Sequence, residues 1–257
     1  MTMNGLFEFI ESFPRSVTES ELHIIKDHIN NLKILEDSIK KSRKTRLDAD
    51  LETLELSDFD VDSFNPFKDH INGNDHAKAH YLISKYESET NNINPRLTYN
   101  PIIVALWGIL ESSIYNYCKY ASERETAVYN FKEVNGKNLI QKSEKYLNEY
   151  LGFDIDYTAE PVLKNIMQLR NYIAHTNGSL KFLPESKVQE IERVIYQIED
   201  IEIIENNIVV TFNAIKSIFS TICAFLGNID YELSKKYHPM PNLVTNLLNN
   251  GKTCQIE

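Results

Sequence analysis

A chain of 257 residues with 42% hydrophobic and 25% charged side chains has the composition of a folded globular protein, which excludes a disordered, collagen-like or disulfide-scaffold chain. Its 27 Lys and Arg against 37 Asp and Glu give a formal charge of −10, which argues against a broad cationic surface; DNA is not an expected partner, and any nucleic-acid site must be local. Three cysteines, Cys118, Cys223 and Cys254, contain no CxxC pair, so they fit neither a disulfide framework nor a four-cysteine zinc site and suit a reducing cytoplasm.

The first residues, MTMNGLFEFIESF, carry no base before Arg15, unlike a signal peptide. The longest apolar run, Pro101 to Leu110, is about half of the ~20 residues that span a bilayer, so no membrane segment is expected. The chain is also poor in Gly and Pro and holds no GxGxxG, GxxxxGK[ST] or GxSxG, which removes support for the common nucleotide-binding and hydrolase folds.

Helical periodicity dominates in chain order. Thr18 or Ser20 is a candidate cap for a helix through Leu22, Ile25, Ile29, Leu32 and Leu35, ending in the basic run KKSRKTR, Lys40 to Arg46. An acid-rich stretch follows from Asp48 to Asp69. The segment Asn65 to Asp75 reads as loop and Asn91 to Pro95 as a linker, so residues 1–95 are expected as an N-terminal helical extension and 96–257 as a helical bundle.

From Pro101 the sequence PIIVALWGILESSIYNYCKYA reads as a core helix with Pro in its first turn. Helices are expected from Lys137 to Tyr150, from Glu160 to Thr176 with Asn177-Gly178 as a left-handed cap, and from Pro184 to Gln197. Ile201 to Thr211 reads as a hairpin turning at Asn206-Asn207, and Phe212 to about Tyr237 as a long helix. A last short helix is expected around Leu243 to Leu248. The fold class is all-α with a small β-hairpin insertion.

The chemistry concentrates in VLKNIMQLRNYIAHTNG, Val162 to Gly178. Val162, Ile166, Leu169 and Ile173 fall on one stripe that must face the core, Arg170 lies about 60° from it, and Asn171 and His175 share a face one turn apart. A guanidinium at the edge of a core needs a partner, and Glu111 in the Pro101 helix is the candidate. His175 lies in the last turn, and histidine is the usual proton-transfer group near neutrality.

This arrangement resembles the HEPN superfamily (higher eukaryotes and prokaryotes nucleotide-binding), whose signature is an Arg, four to six residues, then a His, often with a polar residue directly after the Arg. Here RNYIAH supplies Arg170, the polar Asn171 and His175, and no other Arg in the chain meets the spacing. The resemblance covers roughly Pro101 to Tyr237. It implies an up-and-down helical bundle and a metal-independent endoribonuclease needing no cofactor, with Arg170, His175 and Asn171 as its catalytic residues. It also implies RNA as substrate, prokaryotic toxin or phage-defence biology, and an antitoxin or regulatory partner.

Cleavage without a metal needs a base for the 2′-hydroxyl, a cation for the phosphorane and an acid for the leaving 5′-oxygen. His175 suits the first or last task and Arg170 the second; Asn171 suits orienting the imidazole or binding a phosphate oxygen. Five residues apart, Arg170 and His175 project about 140° from each other on one helix, a difficulty that a two-fold dimer resolves by lining one cleft with both copies. Family members build their site in this way, so the resemblance implies a homodimer with a composite site.

Other readings stay open. Arg170 and His175 are also readable as ordinary surface and helix-end residues, with His175 as a C-terminal cap, in a non-catalytic module that dimerises, docks a partner or binds a nucleotide. Lys40, Lys41, Arg43, Lys44 and Arg46 read first as a solvated helix end and second as a phosphate-tracking arm for a structured RNA such as tRNA. His76 and His80 are four apart, but no Glu follows His76 as in HExxH and no third ligand is evident, so no metal site is expected.

Overall fold

Few glycines and apolar side chains recurring every three or four positions favour helix over most of the chain. The computed structural model is predominantly helical, with one two-stranded antiparallel sheet, and describes residues 14–54, 75–125 and 130–237. Helix α1 (Pro14–Glu52) comes first. Helix α2 (Asp75–Ser88), a π-helical turn (Glu89–Ile93) and α3 (Asn94–Arg124) then run on as one continuous helix. After a 3-10 turn (Phe131–Glu133) come α4 (Leu139–Glu144), extended by a second π-helical turn (Lys145–Tyr150), then α5 (Glu160–Thr176) and α6 (Glu185–Tyr196). The hairpin β1 (Ile201–Ile204) and β2 (Asn207–Val210) leads into α7 (Phe212–Tyr237).

Helix α3 is the centre of the packing. It touches α1, α5, α7 and β2, and its Ile103, Leu106, Leu110 and Ile114 are fully buried. Each such side chain contributes roughly 1.5–3 kcal/mol by leaving water. Leu22 and Ile29 of α1 belong to the same core as α5 and α7, so the N-terminal helix is packed into the bundle.

Three expectations for this half of the chain are corrected. Thr18 and Ser20 lie inside α1 and cap nothing: Thr18 is buried, with its hydroxyl donating to Ser113 Oγ of α3 at 3.1 Å. The helix also continues through the basic run to Glu52, because Lys40 and Lys44 pair one turn away with Glu36 and Asp48. The segment 91–95 is helix: a π-helical turn that buries Thr90 and Asn92 leads into α3, and the wider turn falls next to Pro95, which has no N–H to donate to the continuous helix. Pro101 therefore sits within α3, on its exposed side.

A buried carboxylate joins α1 to α3. Glu36 accepts a short hydrogen bond from the Tyr99 hydroxyl and salt bridges from Lys40 at 2.8 Å and Lys33 at 3.3 Å. Burial alone would push its carboxyl up; Lys40 and Tyr99 outweigh burial and hold it below the usual carboxylate range. The same burial, with the Glu36 carboxylate beside it, holds the Tyr99 phenol far above its ordinary value.

The hairpin turns one residue earlier than its sequence suggests. Ile201 pairs with Val210 and Ile204 with Asn207, leaving Glu205 and Asn206 at φ 51° and 60°, the doubly left-handed geometry of a tight two-residue turn. Helices 77–124 and Phe212–Tyr237 are long and apolar enough to cross a bilayer by length and composition, beyond what the run at Pro101 suggested. Half of each apolar window is buried against neighbouring helices. The expected loop at 65–74, most of the acidic stretch, the expected helix around 243–248 and Cys254 lie outside the described residues.

Candidate active site

Helix α5 carries the Arg170–His175 motif, and its ends are set by its own sequence. Pro161 occupies the first turn, and at the other end Asn177 and Gly178 adopt φ 51° and 75°, which closes the helix with a left-handed cap. Leu163, Ile166, Leu169 and Ile173 form the buried face. Val162, expected in that stripe, is 44% exposed, and Leu163 takes its place. Seven residues on from Leu163, Arg170 points within about 20° of the same direction, which is why it is half-buried.

The guanidinium is oriented within its own helix: Arg170 Nη1 donates to Asn171 Oδ1 at 2.9 Å. Its Nε is buried without a hydrogen-bond partner. Glu111 is half-buried on α3, and the ion pairs of the described residues do not join it to Arg170; the Asn171 amide is the partner found instead. Arg170 and Asn171 are thus brought together, while His175 stands one turn further on, along the Asn171 face. Its ring is exposed, and among the described residues no hydrogen bond or ion pair engages it.

Neighbouring groups brace this helix. The Thr176 hydroxyl donates to the Tyr172 carbonyl at 2.8 Å, and Tyr172 is half-buried with its phenol near the Glu190 carboxylate of α6. Burial, reinforced by the Glu190 carboxylate, pushes the Tyr172 phenol up.

The basic run lies elsewhere, on α1, and much of its charge is matched. Lys40 pairs with Glu36 at 2.8 Å, Lys44 with Asp48 at 2.9 Å, and Arg43 reaches Glu89 of the π-helical turn at 2.6 Å. Lys41 and Arg46 are exposed, and the ion pairs of the described residues leave them out. Among the described residues no three His, Cys, Asp or Glu side chains converge as metal ligands; His80 faces Ser84 Oγ at 3.5 Å, and the His76 side chain lies outside the description.

One group near the motif escaped the sequence reading. Arg96 of α3 donates from Nη2 to the carbonyl of Asn177, two residues beyond His175, at 3.1 Å. Asn92, Arg96 and Asn100 recur every four residues, a helical spacing that begins in the Asn91 to Pro95 segment read as linker and runs past it, and that spacing was the available signal. No protein-family model, no curated protein and no solved structure matches this chain.

Proposed function

We propose that the protein is a HEPN-type endoribonuclease that cleaves RNA by 2′-hydroxyl transesterification without a metal ion. One observation carries the reading: a histidine ring that is exposed and unengaged stands on the same helix face as an amide already bonded to a half-buried arginine. A histidine serving only as a helix cap would bond to the last carbonyls; this one is free to take or give a proton.

In the proposed reaction, His175 takes the proton of a 2′-hydroxyl as O2′ bonds to the adjacent phosphorus. Arg170, held by Asn171, lies against the negative charge that builds on the phosphorane oxygens. The bond from phosphorus to O5′ then breaks, O5′ takes a proton from a protonated His175 imidazole of the motif, and the products carry a 2′,3′-cyclic phosphate and a free 5′-hydroxyl. The 140° divergence of Arg170 and His175 remains, so the second copy of the motif in a homodimer supplies the groups that one copy cannot aim at the same phosphate. A cytoplasmic setting in toxin or phage-defence biology, with tRNA among the substrates and an antitoxin among the partners, belongs to this reading by family resemblance.

A second reading, a non-catalytic module that docks a partner, is favoured by one observation: Lys40, Arg43 and Lys44 of the basic run on α1 are paired within the chain, which reduces the positive charge that run offers RNA. Incubating wild type and His175→Ala with total RNA in EDTA separates the two. Fragments with 2′,3′-cyclic phosphate ends from wild type alone support the ribonuclease; intact RNA with both proteins supports the docking module.

A further inference from the structure

Helix ends ordinarily fray, because their last carbonyls lack partners within the helix. The end of α5 does not have that freedom. Ser179 N donates to the Thr176 carbonyl at 3.0 Å, Ile208 N of β2 to the Gly178 carbonyl at 2.7 Å, and Leu180 N to the Asn206 carbonyl at 2.8 Å. The chain leaving His175 is in effect a short extra strand on the hairpin.

A polar ladder on one face of the continuous helix completes the clamp. Asn92, Arg96 and Asn100 lie at successive intervals of four. Asn92 Nδ2 donates to Glu205 Oε2 at 2.9 Å, with the Ser88 hydroxyl on the same oxygen at 3.2 Å, and this fixes the tip of the hairpin. Arg96 grips the Asn177 carbonyl, and Asn100 packs against Gly178 so closely that a Cβ there would meet its Nδ2 at 2.8 Å. Asn92 and Asn100 are 2% and 1% exposed, and Asn92 Oδ1, Arg96 Nε and both amide atoms of Asn100 are buried without partners. Apolar residues would pack there at lower cost, since an unpaired buried polar group costs free energy. What the ladder provides in return is direction: Arg96 bonds the turn that follows His175, Asn100 packs against it, and Asn92 holds the hairpin tip beside it.

We propose that Arg96 is a positioning residue for His175, acting through the Asn177 carbonyl, with Asn92 and Asn100 as the rungs beside it. A cation at a helix C-terminus suits the negative end of the dipole, and a proton-transfer side chain works best on a rigid support. The imidazole itself stays unengaged while the backbone that carries it is held from three sides. For its kinetic consequence the inference rests on the ribonuclease reading; for its structural consequence it does not.

The test uses Arg96→Met, which keeps the apolar stem and removes the guanidinium, and Arg96→Lys, which restores a cation. The readouts are the His175 ring resonance by NMR, identified by its loss in His175→Ala, and kcat and KM for RNA. Arg96→Met is expected to shift or broaden the His175 signal while leaving those of His23 and His28, and to lower kcat about 10²-fold at unchanged KM, the cost of misplacing a reacting group by about an ångström. Arg96→Lys is expected to recover part of both. An unchanged His175 signal together with unchanged kcat overturns the proposal. A shifted His175 signal in a protein whose wild type cuts no RNA upholds the positioning role and overturns the ribonuclease reading instead. If Arg96→Met does not fold, Asn92→Ala, which releases the hairpin tip without touching Arg96, is expected to move the His175 signal in the same way; no movement overturns the proposal.

Discussion

Gly178→Ala probes the clamp on α5 through a single methyl group. Gly178 sits at φ 75°, where an L-residue pays roughly 1–2 kcal/mol for the contact of its Cβ with the backbone. Space adds a second term. The new Cβ would lie 2.8 Å from Asn100 Nδ2 and 3.2 Å from the Ile208 carbonyl oxygen. Neither can retreat freely, because Asn100 is buried and β2 is tied to this turn by the Ile208 N–H bond to Gly178. Forcing a methyl group into a filled site costs about 1–3 kcal/mol, so the total is roughly 2–5 kcal/mol. Two other glycines separate the terms. Gly152 has φ 69° with open space around it, so its alanine variant bears the backbone term alone, about 1–2 kcal/mol. Gly108 lies in the regular interior of α3, also with open space, and its alanine variant should gain about 0.5–1 kcal/mol. Urea unfolding followed by Trp107 fluorescence and far-ultraviolet circular dichroism, compared at constant m, reads all three. If Gly178→Ala is no more destabilised than Gly152→Ala, the described contact between α5, α3 and β2 is wrong.

Glu36 supplies a pH dependence. Its folded carboxyl titrates below the ordinary value, so its contribution is fully present above the unfolded carboxylate pKa and is lost as pH falls through the folded one. Urea titrations between pH 6 and pH 3 should show Glu36→Gln losing less stability on acidification than wild type; parallel curves contradict this. Thr18→Val strands the buried Ser113 hydroxyl and should cost about 1–3 kcal/mol, most of which the double variant with Ser113→Ala recovers; strictly additive losses in a double-mutant cycle rule the bond out. On α1, Lys41→Gln with Arg46→Gln should flatten the salt dependence of RNA binding more than Lys40→Gln with Lys44→Gln, whose charges are already matched by Glu36 and Asp48. Equal slopes for the two pairs remove α1 from the RNA path.

Local chemistry explains which parts of the fold were legible. Pro161 and Asn177-Gly178 punctuate α5 so firmly that Glu160–Thr176 follows from the sequence alone, and the apolar period of α7 does the same for Phe212–Tyr237. The segment 91–95, in contrast, is rich in Asn and ends in Pro, a composition that marks a linker. It is helical because partners distant in sequence, such as Glu205 on the hairpin, receive its polar side chains. Thr18 shows the same effect, a good cap residue drawn into a helix interior by Ser113. Within the site, periodicity placed Asn171 and His175 on one face, but the exchange of Leu163 for Val162 and the partner of Arg170 depended on how α5 is rotated against α3 and α6, which a single helix's pattern does not specify.

The central claim is that His175 and Arg170 cut RNA by using its own 2′-hydroxyl. It is tested most directly with one RNA oligonucleotide, in all-ribo and 2′-O-methyl forms, incubated in EDTA with wild type, Arg170→Ala and His175→Ala proteins of matched fold. The expected result is cleavage of the ribo form alone by wild type alone, with 2′,3′-cyclic phosphate ends. Cleavage of the methylated form, or undiminished cleavage by His175→Ala, would contradict it.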